Sequence, residues 1–348
     1  SSLLSDHILV SLKSSLVYFR FIFFAFVIAV LIPTLEKNEN INKYFNYTFQ
    51  FIFIFFFIHS FYQFFNGKNL IGIEITSHLN SERVSSLFGE ELILGSFISK
   101  VMFLYLGFLH GQNINENNKL NIDYKILFIF IICLATIFIS GDRSAFVLAV
   151  IGTLGYLILN LNFKTILIIF SFMILVFLLT LEKPNFQNRY IILFNSIFIE
   201  KEIGQSAHHQ HFNTAYKMYK EKKIFGHGIK SFRVKCNLEK YNSGNQSCST
   251  HPHNYYLQLL SATGIFTFII LICFFFFIFK ELIFSFKNRI LSNRTNNKRN
   301  CYLISTFISI FPLTTTGSFF NNWISFTIFL SLGFLLSEYN LIKYSSKK

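Results

Sequence analysis

His253 and Asn254 close a long polar stretch, and the chain then runs nine residues to Gly264 and two more before Thr267, as HNYYLQLLSATGIFT. An unperturbed histidine titrates near 6.5. A neutral imidazole here can therefore take a proton from an attacking hydroxyl, a step that typically contributes about 10² to 10⁴ in rate. Pro252 fixes its own backbone angle and biases His251 toward extended structure, so the pair presents His253 rigidly. A plainer role is also open, a histidine at a helix start with Asn254 as its cap.

Three arginines have the type and setting to meet an anion: Arg83 in ERVSSLFGEELILG, Arg143 in SGDRSAF and Arg189 in NRYIIL. A guanidinium offers a planar fork of donors that matches phosphate oxygens. The plainer readings are a surface ion pair for Arg83, flanked by Glu82, Glu90 and Glu91, and snorkelling at an interface for Arg143 and Arg189. His208, His209 and His211 form HHQH. No cysteine or carboxylate stands at ligand spacing from them, and adjacent histidines on a helix point apart, so no metal is expected. Cys236 and Cys248 share one polar loop and are expected to pair in an oxidising compartment. Cys133, Cys273 and Cys301 fall in apolar runs and read as buried.

The elements that must position these groups are membrane helices. The chain has 348 residues, 52% hydrophobic and only 14% charged, with a mean hydropathy of +0.47. A soluble domain would carry about a quarter charged. Runs such as Phe51 to Phe57 and Phe268 to Phe279 leave no polar face, which lipid explains best. The expected fold is all-α: a single polytopic membrane domain over 1–348 with about nine spans, near 17–33, 48–65, 92–110, 126–140, 144–160, 165–181, 263–280, 301–314 and 322–338. The net charge of +14 does not imply nucleic acid, because the basic residues sit in short loops that read as topology signals. Lys287, Arg289, Arg294, Lys298 and Arg299, and the tail lysines 343, 347 and 348, place loop 281–300 and the C-terminus inside. Counting back puts 66–91, 141–143 and 182–252 outside. The first span would then start outside, against Lys13 and Arg20, and a trimmed N-terminus would resolve that. Loop 182–252 carries eleven Lys and Arg against five Glu. Within it, Phe212, Ala215, Tyr216 and Tyr219 predict a helix over 207–223, lying on the membrane surface.

Arg189-x-x-x-Leu193, then His253-Asn254, nine residues, Gly264, two residues and Thr267, resembles the signature of the O-antigen ligase family, within the O-antigen ligase and polymerase superfamily. SGDRSAF resembles that superfamily's Ser-x-Arg segment, FGHGIKSF its Gly-x-Gly-x-x-x-Phe stretch, and RVSSLFGEELILGSF its Arg-and-Gly segment. The resemblance covers roughly residues 80–330. Asp142 departs from it, since relatives often carry a small residue there, and so does the span count, which in the superfamily is often about twelve. The resemblance implies a multi-pass glycosyltransferase of the inner membrane with its site facing the periplasm, using neither metal, cofactor nor nucleotide sugar. The donor would be a glycan on undecaprenyl pyrophosphate. The acceptor would be the lipid A core for a ligase, or another glycan repeat for a polymerase. His253 and Arg189 would be catalytic. Arg143, Arg83, Asn254 and His251 would bind the pyrophosphate and glycan. The rival of another class is a transporter or anion channel, but the spans carry few charges and no internal repeat. A scaffold would leave the histidine and arginines unexplained.

Overall fold

Backbone in lipid must satisfy its own hydrogen bonds, and among the described residues the regular structure is helical apart from one short hairpin. The computed structural model describes residues 2–78, 81–112, 124–159, 169–170, 173–174, 176–178, 181, 183, 187–188, 191, 207–292 and 297–345. The helices are α1 (Ile8–Leu35), α2 (Glu39–Asn66), α3 (Leu94–Gln112), α4 (Tyr124–Ile139), α5 (Arg143–Leu159), α6 (Ala207–Glu221), α7 (Phe232–Lys235), α8 (Tyr255–Thr263), α9 (Ile265–Ser292), α10 (Asn297–Ser309) and α11 (Asn322–Ser345). The hairpin pairs β1 (Thr76–His78) with β2 (Ser81–Arg83). Among the described residues, four helices are long and apolar enough to cross a membrane: α1, α2, α3 and α9. Most of the expected run 165–181 lies outside the described residues. Cys133 and Cys301 are buried as expected, but Cys273 is exposed. It sits on α9, whose apolar surface is largely unpacked, and a thiol is as suited to lipid as to a core.

The chain divides into two compact units. One comprises Val27–Phe194, Glu281–Ser309 and Ser331–Lys348. Here α3 is buried along most of its length among α4, α5 and α10. Phe49 of α2 stacks on Tyr105 of α3 at 5.5 Å, and Phe45 meets Phe108 at 4.5 Å, pairs that add to plain apolar burial. Ser305 of α10 donates to the Lys100 carbonyl at 2.8 Å and lies 2.9 Å from the Ser331 hydroxyl. The loop after α2 is fastened by buried polar groups on Ser86: its amide donates to Gln63 at 2.7 Å, its carbonyl accepts from Asn69 at 2.7 Å, and its hydroxyl lies 2.8 Å from His59 Nδ1. Lys298, at the start of α10, sits between Glu36 at 2.6 Å and Glu338 at 2.7 Å.

The other unit comprises Ser1–Phe26, Asn195–Lys280 and Ile310–Leu330. Its inner cluster is Ala215, Met218, Phe232, Cys236 and Tyr241, joined by the Cys236–Cys248 disulfide, whose Cα atoms are 4.9 Å apart. The helix expected over 207–223 is α6, ending at Glu221. Its buried stripe is His211, Thr214, Ala215 and Met218, whereas Tyr216 is exposed; the disulfide-bonded layer beneath selects that face. Gly226-His227-Gly228 runs along the end of α8, with the His227 amide on the Ser261 carbonyl at 3.0 Å and the Gly228 amide on Ala262 at 2.8 Å. Gly226 (φ +63) has no room for a side chain against the Ala262 backbone, which is why glycine is needed there. The N-terminal segment joins this unit through Ser5 to the His227 carbonyl at 2.8 Å and Asp6 to Lys222 and Lys235.

Candidate active site

Asn254 builds the site by capping α8. Its side-chain oxygen accepts from the amides of Tyr256 at 3.0 Å and Leu257 at 3.1 Å, and its Nδ2 donates to the Pro312 carbonyl at 2.8 Å. These bonds use the amide within the protein and tie the start of α8 to the segment before α11. His253 precedes the cap in the left-handed region, φ +56. Histidine tolerates that region better than most residues, yet it still costs roughly 1 kcal/mol. The conformation is held from both sides, by Asn254 and by the Thr316 amide donating to the His253 carbonyl at 2.8 Å. Strain of this kind concentrates at functional sites.

The His253 ring is surrounded by imidazoles. Ring centres lie 4.1 Å away for His251, 5.1 Å for His211 and 5.2 Å for His208. His251 is oriented by the Thr250 hydroxyl at 2.8 Å and the Thr316 carbonyl at 3.3 Å. Burial, then the charge that His251, His208 and His211 would carry, pushes the His253 pKa down to about 3. Burial likewise pushes His251 down to about 4, against the Thr316 carbonyl and with Arg233 adding to the fall. Burial lowers His211 as well. All three rings are therefore neutral at pH 7. Within the same unit, His211 Nδ1 and the hydroxyls of Thr314 and Thr316 are buried with no hydrogen-bond partner. Such groups are costly unless something polar arrives to meet them. Among the described residues, no three His, Cys, Asp or Glu side chains are arranged to hold a metal ion.

His208 and His211 were not assigned to this site from the sequence. Their signal is the i, i+3 spacing within HHQH, which puts both on one face of α6. Only the packing of α6 against α8 reveals which face that is.

In the other unit, Arg83 and the Gly141–Arg143 turn come together. The Arg83 guanidinium lies 3.5 Å from the Asp142 carboxylate and donates to the Leu92 carbonyl at 2.7 Å. Asp142 also caps α5, accepting from the Ala145 amide at 3.2 Å, and Arg143 is the first residue of that helix. The fit depends on Gly95 in α3: a Cβ there would stand 3.1 Å from Asp142 Cβ and 3.2 Å from Ala145 Cβ. Arg189 lies outside the described residues.

No curated protein and no solved structure matches the chain. Residues 128–272 match the family model for O-antigen ligase, a stretch that contains Arg143, Arg189, His253 and Asn254 and begins after Arg83. With its long apolar helices, this match supports assignment of the chain to the O-antigen ligase family, as a membrane protein of the ligase or polymerase type.

Proposed function

We propose that this protein transfers a glycan from undecaprenyl pyrophosphate to a sugar hydroxyl of the lipid A core, at the periplasmic face of the inner membrane. The observation that carries the reading is His253: a neutral imidazole, held in a strained backbone conformation on a capped helix, beside buried polar groups that lack partners. In this reading His253 takes the proton from the acceptor hydroxyl as oxygen attacks the anomeric carbon. Undecaprenyl pyrophosphate leaves, its charge stabilised by Arg143, Arg189 and Arg83. Asn254 and His251 set the position of the base. A sugar hydroxyl is a poor nucleophile, so positioning contributes alongside basicity. Loop 182–252 faces the periplasm and accommodates the bulky substrates.

The family match supports an enzyme over an anion channel or transporter. His253→Ala, at equal expression, is expected to lower glycan transfer by about 10² to 10⁴, and transfer unchanged in that variant would sink the assignment. Ligase and polymerase separate by what accumulates on deletion of the gene: undecorated lipid A core for a ligase, core bearing single repeat units for a polymerase.

A further inference from the structure

We infer that His211, with the hydroxyls of Thr314 and Thr316, forms a subsite beside His253 for an uncharged, hydroxyl-bearing ligand, and that this ligand is the acceptor sugar. The second part rests on the proposed function; the first does not.

His211 lies on α6, is 6% exposed, and its ring centre stands 5.1 Å from that of His253. Burial keeps it neutral at pH 7, so it carries a single ring proton. The Gln246 carbonyl hydrogen-bonds the ring and Nδ1 has no partner. Nε2 therefore holds the proton, and Nδ1 presents a bare lone pair. The hydroxyls of Thr314 and Thr316, in the same unit, are likewise buried and unpartnered. Thr316 is fixed against the site by its amide on the His253 carbonyl at 2.8 Å and by its own carbonyl, 3.3 Å from His251 Nε2. Thr314 offers its carbonyl to Asn254 Nδ2 at 3.5 Å. Thr214, three residues on from His211, shows the contrast: its hydroxyl donates to the Tyr241 carbonyl at 3.1 Å. Buried polar groups left open are unfavourable unless a polar ligand meets them, and here three of them belong to residues around one strained histidine.

The chemistry of these atoms selects the ligand. A bare ring nitrogen must be met by a donor. A pyrophosphate esterified at both ends has no proton to give at neutral pH, so it cannot satisfy Nδ1. It also calls for cations, whereas the open groups here are a neutral ring and two hydroxyls. Arg233, which acts electrostatically on His251, is exposed. A sugar hydroxyl both donates and accepts, so it suits the ring nitrogen and the threonine hydroxyls alike. Two hydroxyls of one sugar can serve the neighbouring rings, one hydrogen-bonding His211 Nδ1 and the other losing its proton to His253. His211 in that role is a positioning residue, which sets the attacking hydroxyl against the base.

The test uses the full-length protein in neutral detergent, with thermal unfolding followed during titration of core oligosaccharide freed of lipid A. The wild type is expected to gain stability. His211→Phe fills the same space without the open polar atom, so its unliganded form should unfold at the same or a higher temperature. Its affinity for the oligosaccharide should fall roughly three- to tenfold. KM for the acceptor should rise with it, while KM for the lipid-linked donor holds. Thr316→Val should act in the same direction. His211→Asn, which returns an acceptor oxygen near the place of Nδ1, should recover part of the loss. Equal oligosaccharide affinity in wild type and His211→Phe would overturn the subsite, as would no stabilisation of the wild type. Either result leaves the His253 reading intact, since that is measured by transfer. A parallel arm titrates inorganic pyrophosphate. His211-dependent affinity for pyrophosphate, with none for the oligosaccharide, would overturn the assignment to the acceptor.

Discussion

At the scale of single residues, the candidate site is defined by how far His253, His251 and His211 are kept from charge. Burial pushes His253 down to about 3 and His251 to about 4, so between those values and 6.5 the unfolded chain holds more protons than the folded one. Their contribution to stability is complete above pH 6.5 and is lost as the pH falls through that window. The thermal midpoint should therefore drop on acidification from pH 7 toward 4, and less so in a His251→Gln, His253→Gln double variant. An equal drop in both proteins would rule out these rings as the cause. Activity carries a second signature. The acid limb of kcat/KM, which reports the free enzyme, should lie below 6.5. An anionic donor nearby favours the imidazolium, so the limb of kcat should lie higher. The legible part was His253, because its sequence neighbours Pro252 and Asn254 already specify a rigid approach and a cap. His208 and His211 were not legible as its partners. More than forty residues separate them from it, and nothing local selects one face of α6.

At the scale of elements, the stretch between α6 and α8 combines a small buried cluster with a disulfide and backbone hydrogen bonds. The Cys236–Cys248 disulfide closes a ring of sequence separation 12 just before His251. Breaking it by Cys248→Ser is expected to cost about 2–4 kcal/mol, seen as a lower thermal midpoint together with reduced transfer. Full retention of both would show that the loop holds without it. The helix over 207–223 was predictable from the recurrence of Phe212, Ala215, Tyr216 and Tyr219. Its buried stripe was not, since α6 packs on a disulfide-bonded layer that periodicity cannot see. Similarly, Arg83 and Asp142 each looked like a local charge, and Gly95 is the residue that lets their segments meet.

At the scale of the whole molecule, membrane class follows from composition alone, because apolar runs this long leave helix as the only solution. Sidedness rests on the loop charges. In a background keeping only the Cys236–Cys248 pair, a cysteine placed at exposed Glu239 should react with an impermeant maleimide from the periplasm. One placed at exposed Lys287 should react only after the inner membrane is opened; the reverse pattern would invert the topology. The span count was the least legible feature: nine runs were expected, among them 301–314, whereas four helices among the described residues are long and apolar enough to cross, and α10 is short with a polar start. That helix has a consequence for biosynthesis. Glu36 leaves the ribosome 262 residues ahead of Lys298, and Glu338 follows after it. Glu36, just beyond the first helix, therefore meets its lysine only after most of the chain has been made. The emerging lysine then joins an early segment to a late one, so that a chain halted before α10 lacks this link between its beginning and its end.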